Sequence, residues 1–343
     1  MKNGRLFGLF LALFLLSICI AVAVPEASAQ GQPVTLRLAD FFTPGHPQSV
    51  LMEQWCKEVE KRTNGQVKVK YYPGGTVVSV AQTFDSIVSG VVDMGFFVLG
   101  YTMGKFPLSD VLAYPLGSPS AVASVRLANE YYAKFKPKEF DEVKVCYLSS
   151  SGPGIFHTRK PVNKLEDMKG MKIRTFGPMM KFVADLGAVP VGMPMGEAYD
   201  AVSKGVVDGL ASPYEALFGW KLGEVVKYSI ENMDSSHAGV TMLAMNINKW
   251  NSLSADVKKT IDAISAEWIE KEGIVWDDLD NQGRKFAEER GMKVIKLSIE
   301  ENARWAAKAQ PLFDEYIKAM KAKGLPGEEV VKFYREKLKA YRK

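Results

Sequence analysis

The chain has 343 residues, 47% of them hydrophobic and 24% charged, with a formal net charge of +5. This is the composition of an ordinary globular protein, which excludes intrinsic disorder, and the length suits two domains. The mild positive charge is spread along the chain, so no nucleic-acid partner is expected.

Lys2 and Arg5 precede an apolar run from Leu6 to Val24, and Ala27-Ser28-Ala29 offers a small-residue cleavage site before Gln30. Residues 1–29 are therefore expected to be a cleaved secretory signal. A membrane anchor is the rival reading, because the run is nearly long enough to span. A lipoprotein fits less well, since Ile18 stands before Cys19 where a small residue is wanted. The remaining thiols are Cys56 in a helical pattern and Cys146 in a strand pattern. Both are expected to be free and buried, with a single disulfide as the alternative in an oxidising compartment.

Val34 to Ala39 alternates as VTLRLA and predicts a first strand, ending in the turn-rich loop from Asp40 to Pro47. Leu51, Trp55 and Val59 mark a helix that Asn64-Gly65 stops. Val67, Val69 and Tyr71 form the second strand, closed by Pro73-Gly74-Gly75. A helix carrying Val80, Phe84 and Ile87 stops at Gly90, and VVDMGFFV predicts a buried strand leading to Tyr101. Beyond Pro119 come a helix with Val122, Val125 and Tyr132, a strand from Glu142 to Leu148, and the small-residue loop Ser149 to Gly154. Ile155 to Thr158 reads as extended.

The stretch Leu165 to Pro213 is the most informative. A strand places Arg174 at its carboxyl end, and Gly177-Pro178 then opens a helix. In open α/β sheets that edge binds ligands. A guanidinium fork beside free helix N–H groups favours an anion there. The bland alternative is an Arg paired with a neighbouring acid such as Asp167. A helix closed by Gly187, a strand at Val189–Val191, another helix and another strand follow.

Residues 88–95 (VSGVVDMG) are echoed by residues 202–209 (VSKGVVDG). Each closes a helix with Gly and enters an apolar strand through Val-Val-Asp, which favours two lobes of related build. Asp93 and Asp208 within the echo read as turn or cap residues. After a strand at Val240–Asn246, a helical pattern runs from Ser254 to about Arg290. It would be about 54 Å long, enough to span two lobes, with Gly273 and Gly283 as candidate kinks. Lys293 to Leu297 gives a late strand. Ser298 and Glu301 form a capping-box pattern, Pro311 interrupts the next helix, and the tail from Glu328 is basic and helical.

Catalytic signatures are missing. There is no G-x-S-x-G, P-loop, H-E-x-x-H or C-x-x-C, and His46, His157 and His237 have no metal-ligand spacing. The expectation is a non-enzyme with no cofactor and no metal. A two-lobed α/β protein with a basic residue at a strand end suits the capture of a small solute, the lobes closing over it.

The segments LEDMKGMKIRTF and LGAVPVGMPMGEAYDAVSKGVVDGLASP resemble the signature of the TRAP-transporter extracytoplasmic solute receptors, the DctP-like family. FFTPGHP, RTNG, YYPGGT and GVVDMGF fit as well, and the resemblance covers residues 34–335. It implies an α/β, two-lobe periplasmic solute-binding protein fold with mixed sheets, hinge strands and the long helix spanning both lobes. The lobes would be residues 34–151 plus 238–277, and 152–237 plus 278–335. It also implies a monomer in the periplasm that delivers a small organic acid to a TRAP membrane permease; a sensor kinase or chemoreceptor is the alternative partner.

In such receptors the strand Arg pairs with the ligand carboxylate, which here is Arg174. Gly154 stands where some members have a second Arg, and Ser212 where many have Asn. One clamp plus one hydroxyl suits a monocarboxylate, or a sulfonate. Phe42, Phe97, Tyr101, Phe156, Phe176, Tyr214 and Trp220 fall at strand-end loops and are expected around the cleft, giving it an apolar or aromatic preference. Met195 is a further candidate wall residue, and His157 a candidate polar contact.

Overall fold

A computed structural model of the chain describes residues 33–342, and the expected signal at 1–29 lies outside them. The strands form two mixed sheets. The first has the order β2-β1-β3-β10-β4, with β1 at Val34–Asp40, β2 at Val67–Tyr72, β3 at Met94–Val98, β4 at Val143–Ser150 and β10 at Val240–Asn246. The second has the order β11-β9-β5-β8-β6-β7, with β5 at Ile155–Thr158, β6 at Lys172–Thr175, β7 at Val189–Gly192, β8 at Gly209–Ser212, β9 at Tyr228–Glu231 and β11 at Lys293–Lys296.

The pattern of each strand follows from its cover. β1 alternates at its start and is buried at its end, whereas β3 and β10 are buried throughout, as strands covered on both faces are. β10 runs antiparallel to both β3 and β4, while β1 is parallel to β2 and β3. The chain crosses between the sheets at Ser151–Gly154, again at Asn232–Gly239, and a third time through the helices between β10 and β11. The first two crossings are tied by an antiparallel bridge between Gly154 and His237.

The echoed motif has one structural job in both sheets. The Asp93 carboxylate accepts the Arg37 N–H at 2.8 Å, and the Asp93 N–H returns to the Arg37 carbonyl at 3.0 Å. The Asp208 carboxylate accepts the Lys172 N–H at 2.9 Å, and its N–H returns to the Lys172 carbonyl at 2.7 Å. Each Asp thus fastens a helix–strand turn to the neighbouring parallel strand. Gly90 and Gly205, at φ +78° and +72°, make the left-handed turn that brings it there.

The long helix runs unbroken from Ala255 to Glu289, about 52 Å. Ser254 caps it by accepting the Val257 N–H. Gly273 and Gly283, candidate kinks on sequence grounds, are instead points of close approach. A Cβ at 273 would lie 2.7 Å from Val122 Cα, and one at 283 would lie 2.0 Å from the Tyr214 carbonyl oxygen.

Other expectations meet mixed outcomes. Cys56 and Cys146 are both free, as expected, but only Cys56 is fully buried; Cys146 is partly exposed. Ser298 accepts the Glu301 N–H, but the Glu301 carboxylate does not close the box. It accepts the Leu165 N–H at 2.8 Å instead and pairs with Arg304. The C-terminal helices return to the first half. Tyr316 and Tyr334 donate their hydroxyls to the carbonyls of Leu108 and Leu112.

Gly283→Ala distinguishes a seat from a weak point in the helix. A weak point would gain about 1 kcal/mol from Ala. The overlap with Tyr214 should instead cost about 1–3 kcal/mol, read as a lower urea midpoint.

Candidate functional site

The site is built around Arg174. Its strand lies between β8 and the edge strand β7, in register Arg174↔Val191 and Arg174↔Leu210, so the side chain rises one strand in from the edge of the second sheet. The guanidinium is fully buried. Its Nε donates to the Met193 carbonyl at 3.0 Å and its Nη2 to the Tyr101 hydroxyl at 2.8 Å, while Nη1 has no partner. The Phe176 ring centroid lies 5.3 Å from Cζ. No carboxylate oxygen among the described residues lies within 4.0 Å of its nitrogens. Asp167, the alternative partner, accepts the backbone N–H groups of Asn163 and Lys164 instead.

Two further donors converge here. Tyr101 accepts from Arg174 and also from the Met195 N–H at 3.1 Å. Both hydroxyl lone pairs are thereby used, and the O–H proton is left to donate elsewhere. Ser212 lies on the neighbouring parallel strand, two residues beyond Leu210. Strand periodicity puts it on the face of Arg174, one step nearer the carboxyl edge. Its Oγ is buried and unpartnered. Arg174 Nη1, Tyr101 O–H and Ser212 O–H are three donors without acceptors. Tyr101 is only partly buried, but leaving the buried Nη1 and Ser212 hydroxyl dry and unpaired costs about 1–3 kcal/mol each, more for the charged one. The helix after Gly177-Pro178 is only Met179–Asp185, so the anion site rests on side chains.

Beside these donors lies a cavity of about 50 Å³. Tyr101, Phe176 and Met195 line it next to Arg174. Phe41, Phe42, Trp220 and Trp276 supply aromatic walls, and Glu215 and Thr241 supply polar ones. An engineered cavity of ~150 Å³ holds benzene, so a ring-bearing ligand enters this one only if the walls part. An open groove of about 570 Å³ near Ile317–Lys332 is larger but contains none of the orphaned donors.

The walls are braced from behind. Trp276 Nε1 donates to the Gln48 amide oxygen at 3.0 Å, and the Gln48 amide nitrogen donates to Glu272 at 3.0 Å. Glu272 also accepts from Tyr147 and Ser149. Burial pushes its carboxyl up to about 7. Burial also pushes Asp280 up to about 8, with the neighbouring Glu215 and Asp277 carboxylates adding to it.

Of the residues singled out in the sequence, Phe42, Tyr101, Phe176, Met195 and Trp220 line the cavity, with Arg174 and Ser212 behind it. Phe97 does not: it is packed between Phe84 and Phe106 in the core. Phe156 faces the opposite side of its strand and packs edge-on against Trp305. Tyr214 lines a separate groove with Glu231 and Arg284. His157 is buried, its Nδ1 2.9 Å from Ser229 Oγ, and burial holds it down at about 4, so it stays neutral. Gly154 is where His237 passes over the chain. A Cβ there would lie 2.2 Å from the imidazole Cε1.

Phe41, Glu215, Thr241 and Trp276 were not anticipated. Trp276 falls in the apolar stripe of a long helix, and Thr241 inside a buried strand, so both carry core signatures. Phe41, beside Phe42, was the one within reach of sequence reasoning.

Residues 38–319 match the family model described as bacterial extracellular solute-binding protein, family 7. Three solved structures are similar over most of their length. A TRAP periplasmic solute-binding protein from Desulfovibrio salexigens is 34% identical at TM-score 0.80, with 90% of this chain and 96% of that one covered. One from Rhodoferax ferrireducens, in complex with copurified benzoate, is 29% identical at TM-score 0.84, covering 90% and 98%. A marine metagenome TRAP protein specific for aromatic acid ligands, in complex with metahydroxyphenylacetate, is 30% identical at TM-score 0.85, covering 90% and 100%.

Glu272 gives a signed pH test. Its folded value near 7 lies above the ordinary 4.5, so the folded chain holds a proton that the unfolded chain has released. Its contribution is complete below about 4.5 and is lost as pH rises through 7. Glu272→Gln removes that loss. Its stability relative to the parent should rise by about 1–3 kcal/mol between pH 5 and 8, in urea titrations at both values. A constant difference would refute it.

Proposed function

The chain belongs to the bacterial extracellular solute-binding proteins of family 7, a family of receptors, and from that premise we propose that it captures an aromatic monocarboxylate and hands it to a TRAP membrane permease. The observation that carries this reading is the buried Arg174 guanidinium without a counter-ion among the described residues, flanked by the unpartnered Ser212 hydroxyl and by Tyr101, whose oxygen accepts twice and whose proton is free to donate. A carboxylate accepting from Nη1, Tyr101 and Ser212 would neutralise the charge and satisfy all three groups. The aromatic walls suit a ring. Two of the similar structures hold aromatic acids, which supports the same class of ligand here.

The chemistry is that of a grip. The acid enters while the two sheets are parted, its carboxylate meets Arg174, and closure brings Phe41, Phe42, Trp220 and Trp276 around the ring. The proposed lobes are residues 34–151 plus 238–277, and 152–237 plus 278–335. The C-terminal helices of the second strap back onto the first through Tyr316 and Tyr334. Motion is concentrated at the strand crossings Ser151–Gly154 and Asn232–Gly239. Residues 1–29 would direct export to the periplasm, where the protein acts as a monomer and catalyses nothing.

Calorimetric titration with benzoate is the test. Arg174→Ala should weaken binding by at least ~100-fold, since a desolvated carboxylate would lose its charged partner. Tyr101→Phe should weaken it by ~10-fold, the scale of one charge-assisted hydrogen bond. Unchanged affinity in Arg174→Ala would overturn the reading.

A further inference from the structure

The cavity has a second polar feature that the carboxylate grip does not use. Glu215 is 1% exposed and lines the aromatic-walled side. Its Oε1 lies 2.7 Å from His46 Nε2. His46 Nδ1 accepts the Gln48 N–H at 3.2 Å as the cap of helix Pro47–Arg62. That bond fixes the tautomer: the ring proton is on Nε2 and is donated to Glu215. The second oxygen, Oε2, accepts no hydrogen bond from any described residue. Asp280, bonded to the Glu215 backbone N–H at 2.8 Å, does not satisfy it.

A carboxylate has about four acceptor sites, and this one lines the cavity together with Phe42, Trp220 and Trp276 and has a single side-chain donor among the described residues. We propose that Glu215 is the specificity determinant of the cavity, accepting a hydrogen bond from a ring hydroxyl of the bound acid. The inference rests on the receptor reading above and adds to it a second recognition point. The site is then polarised, with donors around Arg174 and an acceptor at Glu215. It favours a hydroxy-substituted ring acid over the bare ring, and it rejects a second carboxylate, which would face Glu215 with like charge in a dry setting.

Glu215 and His46 belong to different sheets' surroundings, so their contact could instead be a simple latch. The two roles differ in what they discriminate. A latch supports all ligands equally, whereas a specificity residue changes their ratio.

The experiment is calorimetry of the full mature chain with benzoate, its three monohydroxy isomers and isophthalate, repeated on Glu215→Gln. In that variant the amide oxygen stays with His46 Nε2–H, and the NH2 turns to the cavity as a donor. The expected result is at least one hydroxy isomer binding ~10-fold or more tighter than benzoate to the parent, with isophthalate weakest. In Glu215→Gln the hydroxyl advantage should fall to within about threefold. Benzoate binding with no gain for any isomer overturns the inference and leaves the receptor reading standing. A uniform loss in the variant, with ratios preserved, makes Glu215 a latch and also overturns it. If no acid binds the parent, both fall. The parent's own ratios decide the matter should the variant fail to fold.

Discussion

One buried positive charge organises this molecule. Arg174 is out of water, it is held by a carbonyl and a hydroxyl, and no acid among the described residues stands beside it. Removing a guanidinium from water without a counter-ion is among the least favourable things a fold can do. The surroundings are arranged so that the cost is carried at one point and can be relieved there. Tyr101 reaches from the first sheet's side to accept from Arg174 and from Met195, and Phe176 presents its ring to the cation. The two sheets are coupled through the charge itself. In the proposed receptor role an arriving anion would act on both halves at once, and the free energy it releases would be available for closing them.

Much of the scaffold is legible in the residues because its signals are local. The alternation in VTLRLA, the stops at Asn64-Gly65 and Gly90, and the cap at Ser254 depend only on neighbours in sequence. The echo around Asp93 and Asp208 reads in the sequence as a pair of turns in lobes of related build, but what each Asp ties is not local. Its meaning is a tie to Arg37 in one sheet and to Lys172 in the other, which only parallel pairing reveals. Arg174 was readable because its strand, its position at the strand's end and the following Gly-Pro turn all lie within a few residues.

The remainder of the site was hidden for an equally physical reason. Cavity walls and cores are made of the same residue types, so Phe97 and Phe156 looked like Phe42 and Phe176 until the side of each strand was known. Glu215 carries no local signature: its partner His46 is far away in sequence, and its burial depends on the aromatics around it. Gly154 was taken for a gap left by a missing basic residue. It is a gap filled by His237, a contact between the two strand crossings.

The two glycines of the long helix have a mechanical meaning. They are ten residues apart, about 15 Å along the axis, and each presses bare backbone against a different part of the chain: Gly273 against Val122 and Gly283 against Tyr214. Turning the helix about its own axis would swing a neighbouring side chain into a space with no room for one carbon atom. The helix is a keyed shaft, locked in azimuth at two places. Glu272, Trp276 and Asp280, spaced by four along one stripe, keep their bearing toward the aromatic wall whatever the halves do. With rolling forbidden, a change of angle between the proposed lobes would fall at the paired strand crossings, and Trp276 would move with the helix as part of a rigid face.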